Sequence, residues 1–113
     1  MRLSIIGTGH VGLVAGACLA DLGHTVVCVD NDEVKVARLQ EGTVDIYEPG
    51  LLEMVERTMS AGHLSFTGSI ALGIQGSEVV FICVGTPSLP DGSANMSYVE
   101  AVSREVARNL DGY

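Results

Sequence analysis

The feature that most constrains this chain is a group of glycines that follows its first apolar run. Gly7, Gly9 and Gly12 have the spacing G-x-G-x-x-G and come directly after the aliphatic residues 3–6. Glycines at this spacing let a chain turn tightly out of a strand, let its backbone approach a pyrophosphate, and let the next helix pack closely. The sequence therefore predicts a strand, a glycine-rich turn and a helix whose N-terminus can bind phosphate.

Apolar runs alternate with segments of helical periodicity along the rest of the chain. We predict strands at residues 3–6, 25–29, 64–66 and 79–84. Helices are predicted at residues 11–22, from a cap at Asn31 or Asp32 to Gly42, from 51 to about 62, at 69–74 and at 97–110. The first of these helices is inferred from the helical spacing of Val11, Ala15, Cys18, Leu19 and Leu22. Such alternation predicts an α/β fold of the Rossmann type, a doubly wound parallel sheet with strand order 3-2-1-4.

Composition supports a sheet that is buried on both faces. Hydrophobic residues make up 47% of the 113 residues and aromatic residues only 4%, so the core must be built from aliphatic side chains, as in parallel sheets. A complete doubly wound domain has two further strands, and without them strand four would expose an apolar edge. We therefore expect residues 1–113 to form an incomplete N-terminal dinucleotide-binding domain that lacks the substrate domain.

Charge and cysteine content exclude several classes of function. The net charge of -8 gives no basic patch for nucleic acid, and no apolar run approaches the roughly 20 residues needed to span a membrane. We expect no signal peptide, because the apolar stretch after Arg2 is short. The three cysteines form no C-x-x-C pair, so we expect buried, reduced thiols in a cytoplasmic protein. The three histidines lack metal-ligand spacing, and we expect no metal site.

Asp30 is the strongest candidate for a contact to a cofactor. It ends the second predicted strand, 18 residues after Gly12. A carboxylate at this position accepts hydrogen bonds from the adenosine ribose and repels the 2′-phosphate of NADP, which favours NAD. The alternative is that Asp30 only caps the following helix, although Asn31 and Asp32 are also available for that role.

Other candidates for cofactor binding rest on position alone. His10 lies where the glycine-rich backbone would meet phosphate, and Lys35 lies early in the second helix, where it could equally be a solvated lysine. Val84, Gly85 and Thr86 follow the fourth strand, whose carboxyl end borders the cofactor crevice in this fold, although an ordinary Gly-Pro turn is the alternative. We identify no catalytic residue, because no Ser-His-Asp or Cys-His arrangement can be argued.

Together these residues resemble the UDP-glucose and GDP-mannose 6-dehydrogenase family from residue 2 to about residue 108. The blocks that carry the resemblance are the glycine motif with Val11, Asp30 with Lys35, the segment 47–51 (YEPGL), the segment 81–88 (FICVGTPS), Asp91-Gly92 and the segment 97–99 (SYV). The Glu-Pro-Gly-Leu and Val-Gly-Thr-Pro sequences within them are far more specific than the glycines alone.

The resemblance implies both a cofactor and a reaction. His10, Val11, Asp30, Lys35 and Thr86 match family residues that contact NAD. The family oxidises the C6 alcohol of a nucleotide sugar to a carboxylate with two NAD, through a thioester on a cysteine, and serves polysaccharide biosynthesis. Its catalytic residues lie C-terminal to this chain, so the resemblance implies that the chain binds NAD without turning over substrate, and that the full-length enzyme is a homo-oligomer.

The chain departs from the family at several positions, and two other functions remain open. The family usually has Tyr at His10, Pro at Asp45, and a Thr-Asp pair at Gly68 and Ser69. One alternative function is a stand-alone dinucleotide-binding module, which the exposed sheet edge disfavours. Another is the N-terminal half of a 3-hydroxyacyl-CoA or 6-phosphogluconate type of dehydrogenase, which the Glu-Pro-Gly-Leu block disfavours.

Overall fold

Strands and helices alternate through residues 1–110, the part of the chain that the computed structural model describes. The strands are β1 (Arg2–Ile6), β2 (Thr25–Val29), β3 (Leu64–Thr67) and β4 (Val79–Ile82). The helices are α1 (His10–Asp21), α2 (Glu33–Gln40), α3 (Leu51–Ser60), α4 (Ile70–Ile74) and α5 (Ser97–Asn109). Each predicted strand and helix is therefore present, with ends that shift by a few residues.

The strands form one parallel sheet in the order β3-β2-β1-β4. This confirms the predicted α/β fold and its strand order. Ile5 in the central strand β1 lies opposite Cys28 of β2 and Phe81 of β4. Because the chain continues from β1 to β2 on one side and returns to β4 on the other, the carboxyl end of β1 lies at the point where a doubly wound sheet opens a crevice.

The two faces of the sheet are covered by different helices. Residues of α1, α2 and α3 pack on one face against a core that includes Leu3, Ile5, Val26, Cys28 and Phe66. On the other face, α4 and α5 cover a smaller core of Ile6, Val29, Ile74 and Val106. Alternate residues of β1 thus point into different cores, so this strand is buried on both faces as its aliphatic sequence predicts.

Helix α1 packs on the sheet with a face other than the predicted one. Its buried residues are Gly12, Leu13, Gly16, Ala17 and Ala20, whereas Val11, Cys18 and Leu22 of the predicted apolar stripe are exposed. The reason is close packing by small residues. A Cβ atom at Gly16 would lie only 2.7 Å from the Cys28 Sγ of β2, so this turn of the helix can approach the sheet only without a side chain.

Strand β4 ends two residues earlier than predicted, at Ile82 instead of Val84. The Cys83 N–H still donates to the Ile6 carbonyl oxygen at 2.7 Å, after which the chain leaves the sheet. Val84 then packs against the core beneath α4 and α5, so its apolar character reflects burial outside the strand. As the strand order predicts, β4 lies at the edge of the sheet, with Val79 and Phe81 about 40% exposed (39% and 40%).

The three thiols differ in their surroundings. Cys28 is fully buried, and desolvation together with the nearby Cys83 raises its pKa to about 12. Cys83 is partly buried, and desolvation raises its pKa as well. Cys18 is exposed on α1, so the expectation that all three thiols are buried is wrong for this residue. None of the helices within residues 1–110 is both long and apolar enough to cross a membrane.

Candidate functional site

A cleft of about 600 Å³ opens at the carboxyl ends of β1, β2 and β4. The loop after β1 forms one wall, and the first residues after β2 and β4 form the floor. The start of α4 and one side of α5 close the opposite wall. The lining residues are Ile6, Gly7, Thr8, Gly9, Val29, Asp30, Asn31, Gly68, Ile70, Cys83, Val84, Gly85, Tyr98, Ala101, Val102 and Glu105.

The glycines of the motif have distinct structural roles. Gly7 has a φ of 108°, and a Cβ atom there would lie 2.5 Å from the Cys83 carbonyl oxygen. A Cβ atom at Gly12 would lie 2.0 Å from the Gly7 carbonyl oxygen. At Gly9, by contrast, a Cβ atom would meet nothing within 4 Å. Gly7 and Gly12 are thus required by packing, whereas the space beside Gly9 is free for a ligand.

The N-terminus of α1 has the features of an anion-binding site. Gly9 is its N-cap residue, no side chain accepts a hydrogen bond from its first turn, and that turn contains no acidic residue. Asp32 and Ser69, in contrast, cap α2 and α4 with their side chains. The first N–H groups of α1 therefore keep their hydrogen-bonding capacity and the positive end of the helix dipole for a ligand such as a phosphate group.

Asp30 is held in the cleft by hydrogen bonds from two sides. Its Oδ2 accepts from the Thr8 N–H at 3.0 Å and from the Thr8 hydroxyl at 2.6 Å, and its Oδ1 accepts from the Asp32 N–H at 3.0 Å. The Lys35 Nζ lies 3.9 Å from Oδ2. Partial burial acts to raise the pKa of this carboxyl, but the hydrogen bonds from Thr8 and Asp32, with the charge of Lys35, outweigh it and hold the pKa below its usual value.

The geometry also bears on whether Asp30 serves only as a helix cap. The Oδ1 atom of Asp32 accepts from the Lys35 N–H at 3.1 Å, so Asp32 is the cap of α2. Asp30 makes no such bond to the first turn of the helix among the contacts of residues 1–110. Its carboxylate lines the cleft instead, with its side chain 15% exposed.

The sequence-predicted site residues fall into two groups. Gly7, Gly9, Asp30, Val84 and Gly85 line the cleft. The other five lie outside its lining, and they are Gly12, His10, Val11, Lys35 and Thr86. Gly12 is buried under the loop, where it permits the close contact with Gly7.

The remaining candidates of the second group surround the glycine-rich loop. The His10 Nε2 lies 3.1 Å from the Glu48 Oε2, so this histidine points towards the segment before α3. Val11 is 71% exposed and Thr86 is also exposed. Lys35 is half-buried beside Asp30. His10 and Val11 thus begin α1 directly after the loop, Lys35 lies in α2, and Thr86 follows β4.

Sequence reasoning missed Thr8 and the wall that α4 and α5 form. Thr8 lies between two glycines of the motif. Its position could have indicated a place in the site, but the motif specifies no residue type there. Gly68 and Ile70 follow β3, so the rule that ligands bind at the carboxyl ends of strands could have indicated them. The α5 residues Ala101 and Glu105 could not be found in this way, because their place depends on how the helix packs. Within residues 1–110, no three His, Cys, Asp or Glu side chains are grouped so as to hold a metal ion.

Comparison with known proteins identifies the family. The model of the UDP-glucose/GDP-mannose dehydrogenase family, NAD binding domain, matches residues 1–113. The chain belongs to this family. Its family assignment makes the chain an NAD-binding domain, and it decides against the alternative of a 3-hydroxyacyl-CoA or 6-phosphogluconate type of dehydrogenase.

Individual relatives agree with the family assignment. The chain is 50% identical to a UDP-glucose 6-dehydrogenase of Rhizobium meliloti, with 100% of this chain and 26% of the relative covered. It is 42% identical to a GDP-mannose 6-dehydrogenase of Pseudomonas syringae pv. syringae, with 94% and 24% covered. The chain therefore spans about a quarter of the length of these curated relatives.

Solved structures of the family share the fold. A ternary complex of GDP-mannose dehydrogenase from Pseudomonas aeruginosa superposes with a TM-score of 0.93 at 38% identity, covering 99% of this chain and 26% of that one. A UDP-glucose dehydrogenase from Pyrobaculum islandicum gives a TM-score of 0.91 at 46% identity, covering 96% and 25%. The sheet and its helices are thus those of the matching part of these dehydrogenases.

Proposed function

We propose that the cleft beside the glycine-rich loop is where this domain holds NAD. The observation that carries the proposal is that a held, ionised carboxylate and an open glycine backbone lie in the same cleft. Asp30 offers its remaining acceptor position to the adenosine ribose, and the free space beside Gly9 admits the pyrophosphate. The uncapped N-terminus of α1 then donates N–H groups to the phosphates, so that a chain of net charge -8 can hold an anion.

The other candidate residues extend this site. Gly7 and Gly12 shape the loop, while Val84 and Gly85 form the floor near the start of the loop after β4. His10, Val11, Lys35 and Thr86 lie around the cleft, and the resemblance to the family supports contacts from them to the cofactor. Lys35 is close enough to Asp30 to reach the same ribose. The His10 imidazole, where the family usually has Tyr, would have to leave or share its contact with Glu48 to meet the cofactor.

We further propose that the full-length protein is a nucleotide-sugar 6-dehydrogenase, an oxidoreductase of polysaccharide biosynthesis. The relatives named UDP-glucose 6-dehydrogenase and GDP-mannose 6-dehydrogenase support this, since they match nearly the whole chain. NAD would accept the hydride, and this domain would bind and orient the NAD. The nucleotide sugar and the catalytic cysteine would belong to parts of the enzyme outside this domain. A homo-oligomeric state is proposed on the same resemblance, and a cytoplasmic location is proposed on the three free cysteines.

Replacing Asp30 with Asn is expected to weaken NAD binding by about tenfold or more, since hydrogen bonds to a charged group contribute roughly 1.5–3 kcal/mol. NADP binding should improve, because the negative charge that repels its 2′-phosphate is removed. Calorimetric titration of the full-length protein with each dinucleotide measures both effects. Asp21→Asn is the control, because Asp21 is an exposed acid at the far end of α1. Equal preference for NAD in Asp30→Asn and the wild type would refute the role of Asp30.

The full-length protein is expected to reduce two NAD for each molecule of UDP-glucose or GDP-mannose that it oxidises. The stoichiometry follows from carrying an alcohol to a carboxylate, which removes four electrons. Absorbance of NADH with each sugar, followed by analysis of the product for a uronate, tests this. A protein that binds NAD but reduces none with either sugar would contradict the proposed reaction and leave the binding site intact.

A further inference from the structure

Thr8 is the residue through which the glycine-rich loop contacts the ribose-binding carboxylate. It lies between Gly7 and Gly9 and is only 1% exposed. Both of its donors, the backbone N–H and the side-chain hydroxyl, point to the same oxygen of Asp30. At 2.6 Å, the bond from the hydroxyl is the shorter of the two, as expected for a hydroxyl that donates to an ionised carboxylate.

The other contacts of Asp30 leave one acceptor position available. A carboxylate has about four positions for hydrogen bonds. Thr8 takes both positions of Oδ2, and the Asp32 N–H takes one position of Oδ1. Lys35, at 3.9 Å, is too far for a hydrogen bond and contributes mainly through its charge. The remaining acceptor position is on Oδ1. Whether this position faces the cleft depends on the orientation of the carboxylate, to which the bonds to Oδ2 contribute.

We propose that Thr8 is a positioning residue that sets the preference for NAD over NADP. Its hydroxyl makes the shortest of the three hydrogen bonds that hold the Asp30 carboxylate, so that Oδ1 meets a ribose hydroxyl and the negative charge stands where a 2′-phosphate would lie. The inference rests on the proposed NAD site and adds to it a residue whose side chain acts through Asp30. Without this hydroxyl, Oδ2 keeps only the bond from the Thr8 N–H at 3.0 Å, so the carboxylate is held less firmly against the attraction of the Lys35 ammonium, which lies 3.9 Å from Oδ2.

A purely structural role of Thr8 would have a different outcome. Thr8 also ties the loop after β1 to the end of β2, and losing this tie would lower stability without changing which dinucleotide is preferred. The ratio of the NAD and NADP affinities separates the two roles, because general damage to the loop weakens the binding of both dinucleotides, which share the pyrophosphate.

The test compares Thr8→Val, which removes the hydroxyl with little change of shape, with Thr8→Ser, which keeps it. In the full-length protein, Thr8→Val is expected to lower the ratio of NAD to NADP affinity by about tenfold, the effect of one lost bond to a charged group. Thr8→Ser should stay within about twofold of the wild type. Thr58→Val is the matched control, since Thr58 is 3% exposed and its hydroxyl donates at 2.7 Å to the Met54 carbonyl oxygen in α3, away from the cleft.

The affinities are measured by calorimetry with NAD and NADP, and thermal unfolding of each variant reports stability separately. If Thr8→Val does not fold, Thr8→Ala removes the same hydroxyl without placing a methyl group beside the carboxylate. An unchanged ratio in the folded hydroxyl-free variant, or an equal loss in Thr8→Ser, would overturn the inference while wild-type NAD binding upholds the proposed site. A wild-type protein that binds no NAD would overturn both.

Discussion

A Gly12→Ala substitution is expected to destabilise this domain by at least about 3 kcal/mol, the upper range for overpacking in a protein core. The added Cβ would lie 2.0 Å from the Gly7 carbonyl oxygen, 3.0 Å from its carbonyl carbon and 3.3 Å from the Cys83 Cβ. The two nearest atoms belong to the backbone of the glycine-rich turn, so no side chain can rotate to make room. The helix would have to move away from the loop, and the core that α1 covers on one face of β1 would open with it.

Chemical denaturation followed by far-UV circular dichroism measures this loss of stability. The denaturant concentration at half unfolding should fall, while the dependence of the unfolding free energy on denaturant concentration should stay the same. A variant that does not accumulate as a folded protein agrees with the expected loss, because domains of this kind are stabilised by only about 5–15 kcal/mol in total. Gly12→Ala with the wild-type midpoint would show that the loop and helix can separate at little cost. Gly9→Ala, in the same motif, is the matched control.

A Gly9→Ala substitution is expected to preserve the fold and abolish tight NAD binding. Nothing lies within 4 Å of the added Cβ, and the φ of -70° suits alanine, so stability should be unchanged or raised by up to about 1 kcal/mol. The same methyl group would occupy the space proposed for the pyrophosphate. We expect the NAD affinity to fall by about a hundredfold or more, because at least two charge-assisted bonds to the phosphates would be lost.

Unfolding and NAD titration of the same Gly9→Ala preparation test both halves of this prediction. A folded variant with undiminished NAD affinity would place the pyrophosphate elsewhere. A variant that fails to fold would instead show that Gly9 is required by the loop itself. The pair Gly9→Ala and Gly12→Ala thus separates the glycine that serves the ligand from the glycine that serves packing.

Much of the fold could be predicted because local sequence and tertiary structure agree in it. The strand over Thr25–Val29 has the predicted bounds, since a continuous aliphatic run bounded by a turn and an acid is typical of a strand buried on both faces. The strand order followed from the glycine motif and from the handedness of the crossovers. The position of Asp30 at the carboxyl end of a strand is enough to predict that it lines the cleft, whichever hydrogen-bond partners it has.

The features that could not be predicted depend on close packing between segments distant in sequence. The apolar stripe of α1 predicts one buried face, but close approach to the sheet favours small residues, so the face with Gly16 and Ala17 is buried and Val11 is not. Val84 has the sequence character of a strand residue, yet it packs under α4 and α5 after the strand has ended. The part of the cleft that α5 forms, including Glu105, depends on the position of a whole helix.

The different surroundings of the glycines also predict how this loop would change under relaxed selection. If a lineage of this domain lost its cofactor, substitutions at Gly9 could accumulate by drift, because no neighbouring atom opposes a side chain there. Gly12 would stay under purifying selection, because its neighbour Gly7 opposes any side chain whether or not a ligand is bound. A descendant that keeps Gly7 and Gly12 but has lost Gly9 would therefore be identified as a domain that no longer binds a dinucleotide.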